Sequence, residues 1–334
     1  MNAQPNPPRV PRVLCMGDMT VDIFAQAMPR LPQPGELLLA DRIACFPGGN
    51  ALNAAVALLR MGDPASFFGV LGDDALGDLL VGELTKIGLD MRGVRRVPGC
   101  PTPATLIYRA EGEDRRYISA LGAGGRFTGE RLPEELIPDH GVVLAAGYLK
   151  LRSWNDDALI EVFQKARQRG CRNVLNVCVP RDGEADVQRC LRLLPHVDVF
   201  LPNEDEARVL TGEERPEAQA RALRMAGARL AIVTRGSQGL YAQDDASSVE
   251  MGAFEVPLVD PTGCGDCFTA GVVAGLLREW DVVRILTFAS AAGALGATAL
   301  GCTSGVLPFA EVERFVRENR LLVSVQRNTK PMIS

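Results

Sequence analysis

Short apolar, β-branched runs alternate with segments of helical period, and this alternation constrains the fold of the 334-residue chain more than any other feature. A run at 13–16 precedes a helix-period segment at 50–61, and a second strand-like run follows at 66–71. Such alternation is typical of a layered α/β fold. Further strands are predicted at 142–145, 173–177, 197–201 and 231–234, and helices at 74–87, 155–169, 204–210, 217–226, 268–278, 282–299 and 309–319.

Two stretches, 36–46 and 102–121, interrupt this alternation. Their residues alternate between apolar and polar, and a hairpin signal lies at 110–114. This pattern predicts a small, half-exposed antiparallel sheet that serves as a cover or an interface. The remainder reads as one domain over 12–323. We expect flexible tails before and after it, at 1–11 and 324–334.

Composition and charge exclude several classes of function. The net charge of −5 provides no basic field, so neither nucleic acid nor an anionic membrane is an expected partner. The apolar stretch at 285–300 is short for a bilayer span, and we expect a buried core helix there. Nine scattered cysteines indicate reduced thiols and a cytoplasmic protein, because the number is odd and most lie in apolar runs.

The glycine-rich turn at 260–266 is the segment with the clearest chemical meaning. A strand-like run at 254–259 precedes it and a helical run follows. Gly263 and Gly265 permit close approach of the backbone to a ligand, and free N–H groups at a helix start form an anion pocket. Asp266 stands at the edge of this pocket, where it is either a general base or simply a helix N-cap.

Familiar nucleotide and hydrolase motifs are missing from the sequence. It contains no G-x-x-x-x-G-K-[ST], no G-x-G-x-x-G and no G-x-S-x-G. A P-loop, a dinucleotide-binding fold and a serine hydrolase are therefore disfavoured. Cys264 and Cys267 form one C-x-x-C pair, but neither a second pair nor a nearby histidine completes a zinc site.

Several motifs in order resemble those of the ribokinase (phosphofructokinase-B type) carbohydrate kinase family. The segment D-P-T-G-C-G-D at 260–266 resembles the family's D-T-x-G-x-G-D signature, and G-G-N-A-L-N at 48–53 resembles its glycine-pair motif. N-E-D-E at 203–206 and T-R-G-S-Q-G at 234–239 resemble the N-x-x-E and T-x-G-x-x-G motifs. The resemblance implies a three-layer α/β/α sandwich with a mostly parallel central sheet and a small β-sheet lid.

The same resemblance implies a catalytic arrangement around the glycine-rich turn. Asp266 is expected to remove a proton from a sugar hydroxymethyl group. Gly263, Cys264 and Gly265 are expected to donate backbone N–H groups to the transferring phosphoryl group of ATP.

Two further motifs are expected to hold the phosphate donor. Asn203 and Glu206 match positions that hold Mg²⁺ through water, although the same pair fits a helix capping box. Thr234, Gly236 and Gly239 match nucleotide-binding positions; read alone, they form a turn after a strand.

The substrate is expected to contact Asp22, Gly48, Gly49 and Asn53, which match sugar-binding positions of the family. For a lone Asp or Asn in a loop, turn formation is the alternative interpretation. Many relatives also bind a monovalent cation such as K⁺ beside the anion pocket, and Asp260, Thr262 and the loop at 301–305 match those positions.

The lid strands, at about 36–46 and 102–121, contain Arg109, Arg115 and Arg116, which either face solvent or meet an anionic substrate. Pairing of lids between subunits in many relatives predicts a homodimer. The resemblance thus implies an ATP-dependent phosphotransferase acting on a primary hydroxyl of a sugar or sugar acid. The alternatives are a nucleoside kinase on the same fold and a non-catalytic sugar-binding sensor.

Overall fold

The computed structural model describes residues 11–113, 115–178 and 183–327. The strands β1 to β14 are Val13–Gly17, Thr20–Ala25, Ile43–Gly48, Ala65–Gly72, Asp90–Val97, Ala104–Tyr108, Arg116–Ala120, Val142–Tyr148, Arg172–Val177, Val199–Leu201, Leu230–Thr234, Leu240–Gln243, Ser247–Met251 and Val323–Arg327. The helices α1 to α9 are Asn50–Met61, Ala75–Lys86, Asp156–Gln168, Glu184–Leu193, Glu204–Thr211, Pro216–Met225, Cys264–Leu277, Val282–Gly296 and Phe309–Glu318.

The main sheet has ten strands in the order β14-β13-β12-β11-β10-β9-β8-β1-β4-β5. From β5 to β11 in this order neighbouring strands run parallel, whereas β12, β13 and β14 add an antiparallel edge. Parallel strands direct their carboxyl ends to one edge of the sheet, and ligands of such sheets bind there.

Helices cover both faces of the main sheet. The side chains of β1 alternate between the two cores: Val13 and Cys15 join one, and Leu14 and Met16 join the other. The first core is closed by α1, α2, α7, α8 and α9, and the second by α3 to α6. This arrangement is the predicted three-layer α/β/α sandwich.

The small sheet has four strands in the order β3-β2-β6-β7. It contains the predicted β6–β7 hairpin, whose predicted turn at 110–114 includes residue 114, outside the described residues. Two details of the prediction were wrong. The strand predicted at 36–46 begins only at Ile43, and β2 pairs in parallel with β6, so the sheet is mixed. All five residues of β7 are exposed.

Local sequence signals account for most helix boundaries. The start of α1 follows Gly49, and its end is set by Gly62, which adopts the left-handed conformation with φ 88°. The Asp74 side chain caps α2 by accepting from the N–H of Gly77. The predicted bounds of α1 agree with the observed ones because both ends carry such a signal.

Other boundaries differ from the prediction, for identifiable reasons. No strand forms at 254–259, where Pro257 lacks an N–H and Leu258 is 67% exposed. Val323–Arg327 forms an edge strand, although a loose end was predicted from residue 324. Residues 1–10 and 328–334 of the predicted tails lie outside the described residues. The edge strand β5 escaped prediction because its sequence, D-M-R-G-V-R-R-V, is highly charged.

All nine cysteines are free thiols, as expected, and of these only Cys45, on β3, is exposed. The predicted core helix at 285–300 corresponds to α8, which is buried along most of its length. Within the described residues, no helix combines the length and apolar character needed to cross a bilayer.

Candidate functional site

Several candidate functional side chains lie at the carboxyl ends of the parallel strands of the main sheet. Asp18 follows β1, Lys150 follows β8, Asn203 follows β10, and Thr234 ends β11. These strands are neighbours in the sheet, apart from the intervening β9. The strand ends therefore bring side chains that are distant in sequence to one edge.

The glycine-rich turn leads directly into α7, which begins at Cys264, four residues earlier than predicted. Its N-cap is Gly263 with φ 79°, and a Cβ at this position would lie 2.5 Å from the carbonyl oxygen of Cys302. Glycine is thus required here for both conformation and space. By contrast, a Cβ at Gly265 would have no atom within 4 Å, so the fold itself does not require glycine there.

Backbone donors are available at this helix start. The N–H of Cys264 makes a long 3.4 Å bond to the carbonyl of Pro261, and the N–H of Cys267 bonds to Gly263. Among the described residues, the N–H of Gly265 has no acceptor. Such donors, together with the positive end of the helix dipole, favour an anion.

Asp266 lies in the first turn of α7 and is not its N-cap, so that alternative was wrong. The side-chain amide of Asn53 donates to Oδ2 at 2.8 Å, and that of Asn50 donates to Oδ1 at 3.1 Å. Burial raises the pKa of Asp266 to about 7; the Asn53 bond lowers it, and the charge of nearby Asp18 raises it. The carboxylate is therefore held in a fixed orientation with a pKa suited to accepting a proton near neutrality.

Asn53 also presents an unsatisfied group. Its Nδ2 faces the Asp266 carboxylate, which leaves Oδ1 buried and without a partner among the described residues. Buried acceptors rarely remain unpaired. This atom is thus a candidate acceptor for a ligand hydroxyl beside Asp266.

Three carboxylates and one ammonium group form a carboxylate cluster, defined here as Asp18, Asp22, Asp266 and Lys150. Lys150 Nζ donates to Asp18 Oδ2 at 2.9 Å, and the second oxygen of Asp18 accepts from the N–H of Ala51. The charge of Asp18 raises the pKa of Lys150 above its usual value, so this side chain stays cationic. The positive charge of Lys150 in turn lowers the pKa of both Asp22 and Asp266.

Asp22 lies within β2 and not in a loop. Burial raises its pKa to about 6, while a hydrogen bond from the thiol of Cys302, 3.3 Å from Oδ2, lowers it. Gly48 lies directly against this carboxylate: a Cβ there would approach Asp22 Cγ to 2.1 Å. Gly49 has φ 99°, and a Cβ there would lie 2.7 Å from the carbonyl oxygen of Asp18. The predicted substrate residues Gly48 and Gly49 therefore adjoin the cluster, to which Asp22 belongs.

Asn203 and Glu206 form the capping box that was one of their two predicted interpretations. Asn203 Oδ1 accepts from the N–H of Glu206 at 2.8 Å, and Glu206 Oε2 accepts from the N–H of Asn203 at 2.9 Å. Glu206 is 5% exposed. Within the described ranges, no group of three His, Cys, Asp or Glu side chains could hold a metal. A hard cation here would thus be bound largely by water and phosphate, as Mg²⁺ commonly is.

Thr234, Gly236 and Gly239 form a tight turn between β11 and β12. The N–H of Arg235 bonds to the carbonyl of Gly239 at 2.8 Å, and Gly236 and Gly239 both have positive φ. The turn adjoins the capping box, since Thr234 N donates to the carbonyl of Pro202. Residues 203–206 and 234–239 are called the cap-and-turn region below.

A partly buried thiol lies near both the cap-and-turn region and the carboxylate cluster. Burial raises the pKa of Cys178, after β9, to about 11; the charge of Lys150 lowers it, and the charges of Asp18, Glu206 and Asp266 raise it. Glu206 of the cap-and-turn region and Asp18, Asp266 and Lys150 of the cluster are therefore within electrostatic range of one thiol.

The turn before α7 is fixed by Asp260. Its Oδ1 accepts from the N–H of Thr262 at 3.0 Å and from the Thr262 hydroxyl at 2.6 Å, and its Oδ2 accepts from the N–H of Gly301 at 3.2 Å. The predicted cation residues Asp260, Thr262 and the 301–305 loop thus lie together. Arg115 of the small sheet also reaches them, donating to Thr262 Oγ1 at 2.9 Å.

Sequence reasoning assigned no role to Asp18, Lys150 or Asn50. Asn50 lies within the segment at 48–53 that resembles a family motif, and Asp18 lies four residues before Asp22; both positions were usable signals. For Lys150 the only signal was its place after a predicted strand. Its pairing with Asp18 across 132 residues follows from the tertiary structure.

Comparison with known proteins identifies a family whose model covers most of the chain. The family model described as pfkB family carbohydrate kinase matches residues 10–309. A ribokinase of Haemophilus influenzae is 27% identical over 288 residues, covering 84% of this chain and 90% of the relative. An ATP-dependent ribose-1-phosphate kinase of Halopiger xanaduensis is 30% identical over 301 residues, covering 88% of this chain and 94% of the relative.

A solved structure agrees at the level of the fold. The crystal structure of a putative ribokinase II from E. coli, in complex with ATP and Mg²⁺, superimposes with a TM-score of 0.81 at 23% identity, covering 92% of this chain and 100% of that one. Since the family model covers residues 10–309, which include β1 to β13 and the glycine-rich turn, the chain belongs to the pfkB family of carbohydrate kinases.

Proposed function

We propose that this carbohydrate kinase transfers the γ-phosphoryl group of ATP to a primary hydroxyl of a neutral sugar, with Asp266 as the general base. The observation that carries this proposal is the buried Asp266 carboxylate, oriented by Asn50 and Asn53 in the first turn of α7. In the transfer, the substrate hydroxyl oxygen forms a bond to phosphorus while the bond to the ADP oxygen breaks. The hydroxyl proton passes to Asp266.

The helix start supplies the complementary electrostatics. Backbone N–H groups of Gly263, Cys264 and Gly265 are proposed to face the oxygens of the phosphoryl group. The free N–H of Gly265 and the absence of any steric demand for glycine at that position support a ligand-binding role. Fixed donors of this kind stabilise charge that develops in the transition state without having to reorganise.

Asn203, Glu206, Thr234, Gly236 and Gly239 are proposed to form the nucleotide side. Bound Mg²⁺ would neutralise phosphate charge, with Glu206 and Asn203 holding it through water. The oxygen donors of the capping box and their place beside the 234–239 turn support this role. The E. coli structure of similar fold contains ATP and Mg²⁺, which supports the choice of these two ligands.

The charges of the cleft favour a neutral sugar over a sugar acid. The carboxylate cluster holds three acidic groups against one ammonium group, so a substrate carboxylate would meet net repulsion. Asp22 and the unpaired Oδ1 of Asn53 are acceptors suited to sugar hydroxyls. A sugar bearing several hydroxyl donors fits this set.

The small sheet is proposed to act as the lid and as the contact between two subunits. Ser119 of β7 lines one small cavity together with Asp18 and Lys150, which supports a covering role. Ile43, Leu106 and Ile118 are exposed apolar residues that the strand register places on one face of the same sheet, and such a surface favours pairing with a second copy.

Asp266→Asn tests the proposal. The variant keeps the side-chain size but cannot accept the proton, so kcat should fall on the order of 10²–10⁴-fold. The measurement is ADP release with a panel of neutral sugars, sugar acids and nucleosides. Asp78→Asn is the matched control, since Asp78 also lies in a first helical turn but is exposed.

Wild-type turnover that is confined to sugars and lost in Asp266→Asn supports the proposal. Turnover confined to nucleosides would establish the nucleoside kinase alternative, and ligand binding without ADP release would establish the sensor. Retention of kcat within twofold in Asp266→Asn would exclude Asp266 as the base.

A further inference from the structure

Arg115 reaches from the small sheet to the turn that precedes α7. It directly precedes β7, and its Nη1 donates to Thr262 Oγ1 at 2.9 Å and lies 3.8 Å from Asp260 Oδ1. The Arg115 side chain is 19% exposed, so the guanidinium is largely removed from solvent. Its neighbour Arg116 is different: it pairs with Glu113 on the same hairpin and is 43% exposed. One lid arginine therefore crosses to the glycine-rich turn, whereas the next stays on the lid.

Asp260 needs a positive partner because it is 5% exposed. Burying a carboxylate is costly unless hydrogen bonds and a counter-charge compensate. The hydrogen bonds come from Thr262 and Gly301. The ion pair with Arg115, at 3.8 Å, provides the counter-charge. The Thr262 hydroxyl connects the two, since it donates to Asp260 and accepts from Arg115.

The hydrogen bonds of Asp260 connect the Arg115–Asp260 ion pair to the start of α7. Asp260 ties the 260–262 turn to the 301 loop, and Cys302 of that loop packs against Gly263, the N-cap of α7. The positive charge of Arg115 also acts on Cys264, the first residue of α7. Burial raises the pKa of Cys264 to about 11, and the charge of Arg115 lowers it. A change at Arg115 is thus transmitted to the backbone donors of Gly263–Gly265 by a short chain of contacts.

We propose that Arg115 is a positioning residue that acts as the built-in counterion of Asp260, so that this kinase works without a free monovalent cation beside its anion pocket. The inference rests on the proposed function of the Gly263–Gly265 donors. It replaces the K⁺ expected at Asp260 and Thr262 with a guanidinium carried by the lid. Because the counterion belongs to the lid, lid closure over the sugar and ordering of the phosphoryl pocket become one event.

The test compares Arg115→Gln with Arg116→Gln, which removes the same charge one residue away. ATP-dependent turnover is measured in buffers whose monovalent cation is tetramethylammonium, K⁺ or added guanidinium. Wild type and Arg116→Gln should have equal kcat/KM in tetramethylammonium and K⁺. Arg115→Gln should lose about 10- to 100-fold in tetramethylammonium, as expected for a misplaced catalytic geometry, and should recover in part with K⁺ or guanidinium.

A thermal measurement provides a readout that does not depend on turnover. K⁺ should raise the Tm of Arg115→Gln relative to tetramethylammonium, by mass action at the vacated position, and should leave the wild type unchanged. Activation of the wild type by K⁺, a loss in Arg115→Gln that no cation relieves, or no loss at all would overturn the inference. If the wild type phosphorylates no sugar, the proposed function fails, and the cation dependence of Tm alone decides the role of Arg115.

Discussion

The carboxylate cluster and the cap-and-turn region lie at the same edge of the main sheet but are built in different ways. In the cluster, residues separated by more than a hundred positions are in contact, as in the Asn53–Asp266 and Lys150–Asp18 hydrogen bonds. In the cap-and-turn region the main bonds span only a few residues, such as Asn203 with Glu206 and Arg235 with Gly239. One region depends on the packing of the whole domain, and the other forms largely from its own segments.

The two regions also differ in the pKa values of the groups that they would use in the reaction. Burial in the cluster raises the pKa of Asp266 to about 7 and that of Asp22 to about 6, which places proton transfer within the physiological range. The cap-and-turn region uses backbone groups and a capping box, which hold a ligand without needing a shifted pKa. If the comparison is correct, substitutions in the cluster should impair catalysis most strongly.

Gly48→Ala should have the largest effect of the three changes that probe the comparison. The added methyl group would lie about 2.1 Å from Asp22 Cγ, so the carboxylate or the β3 backbone must move. A displacement on this scale in a catalytic site should lower kcat/KM about 10²-fold. Gly82→Ala is the control, because a Cβ there meets no atom within 4 Å. Equal activity of the two variants would show that the position of Asp22 is unimportant.

The pH dependence of stability should show the next largest effect. The pKa of Asp266 is raised on folding, so the folded state binds its proton more tightly than the unfolded state. The cost of this group is absent below its unfolded pKa and grows with pH until about 7. Between pH 5 and pH 8, Asp266→Asn should therefore gain about 2 kcal/mol in free energy of unfolding relative to wild type.

Denaturant unfolding of both proteins at each pH measures that difference, in which all other titrating groups cancel. A constant difference across this range would mean that Asp266 is not strained by burial, and the contrast with the cap-and-turn region would lose its basis.

Substitutions at Glu206 should have the smallest effects and separate its two roles. Gln at this position keeps the capping box but removes the charge, so Glu206→Gln should preserve Tm and raise the Mg²⁺ concentration needed for half-maximal activity about tenfold. Glu206→Ala should also lose about 1 kcal/mol of stability with the cap. Measurements are Mg²⁺ titrations of turnover and thermal unfolding. An unchanged Mg²⁺ requirement in both variants would leave Glu206 with the capping role only.

The same contrast explains how far the sequence could predict this site. The capping box was predictable because its two members are three residues apart and carry a recognised signature. Helix α1 was predictable because its apolar spacing and Gly62 are local signals. The Asn50, Asn53 and Asp266 contacts were not, because they join α1 to α7, and local patterns contain no information about which helices pack together.

Arg115 shows most clearly what could not be predicted from the sequence. The sequence allowed two interpretations of the arginines in the predicted lid: they either face solvent or meet an anionic substrate. The structure supports neither for this residue, since its guanidinium contacts Thr262 and Asp260 of the protein itself. Arg116, one position later, does face solvent. Only the path of the hairpin across the main domain distinguishes the two.

The distribution of thiols has a practical consequence for testing the proposed movement of the small sheet. Cys45 is exposed on β3 of the small sheet, whereas the remaining cysteines are buried or partly buried. A maleimide dye would consequently attach first to the small sheet, without an engineered cysteine. The fluorescence of the attached dye, recorded as sugar and nucleotide are added, would report whether the sheet opens and closes.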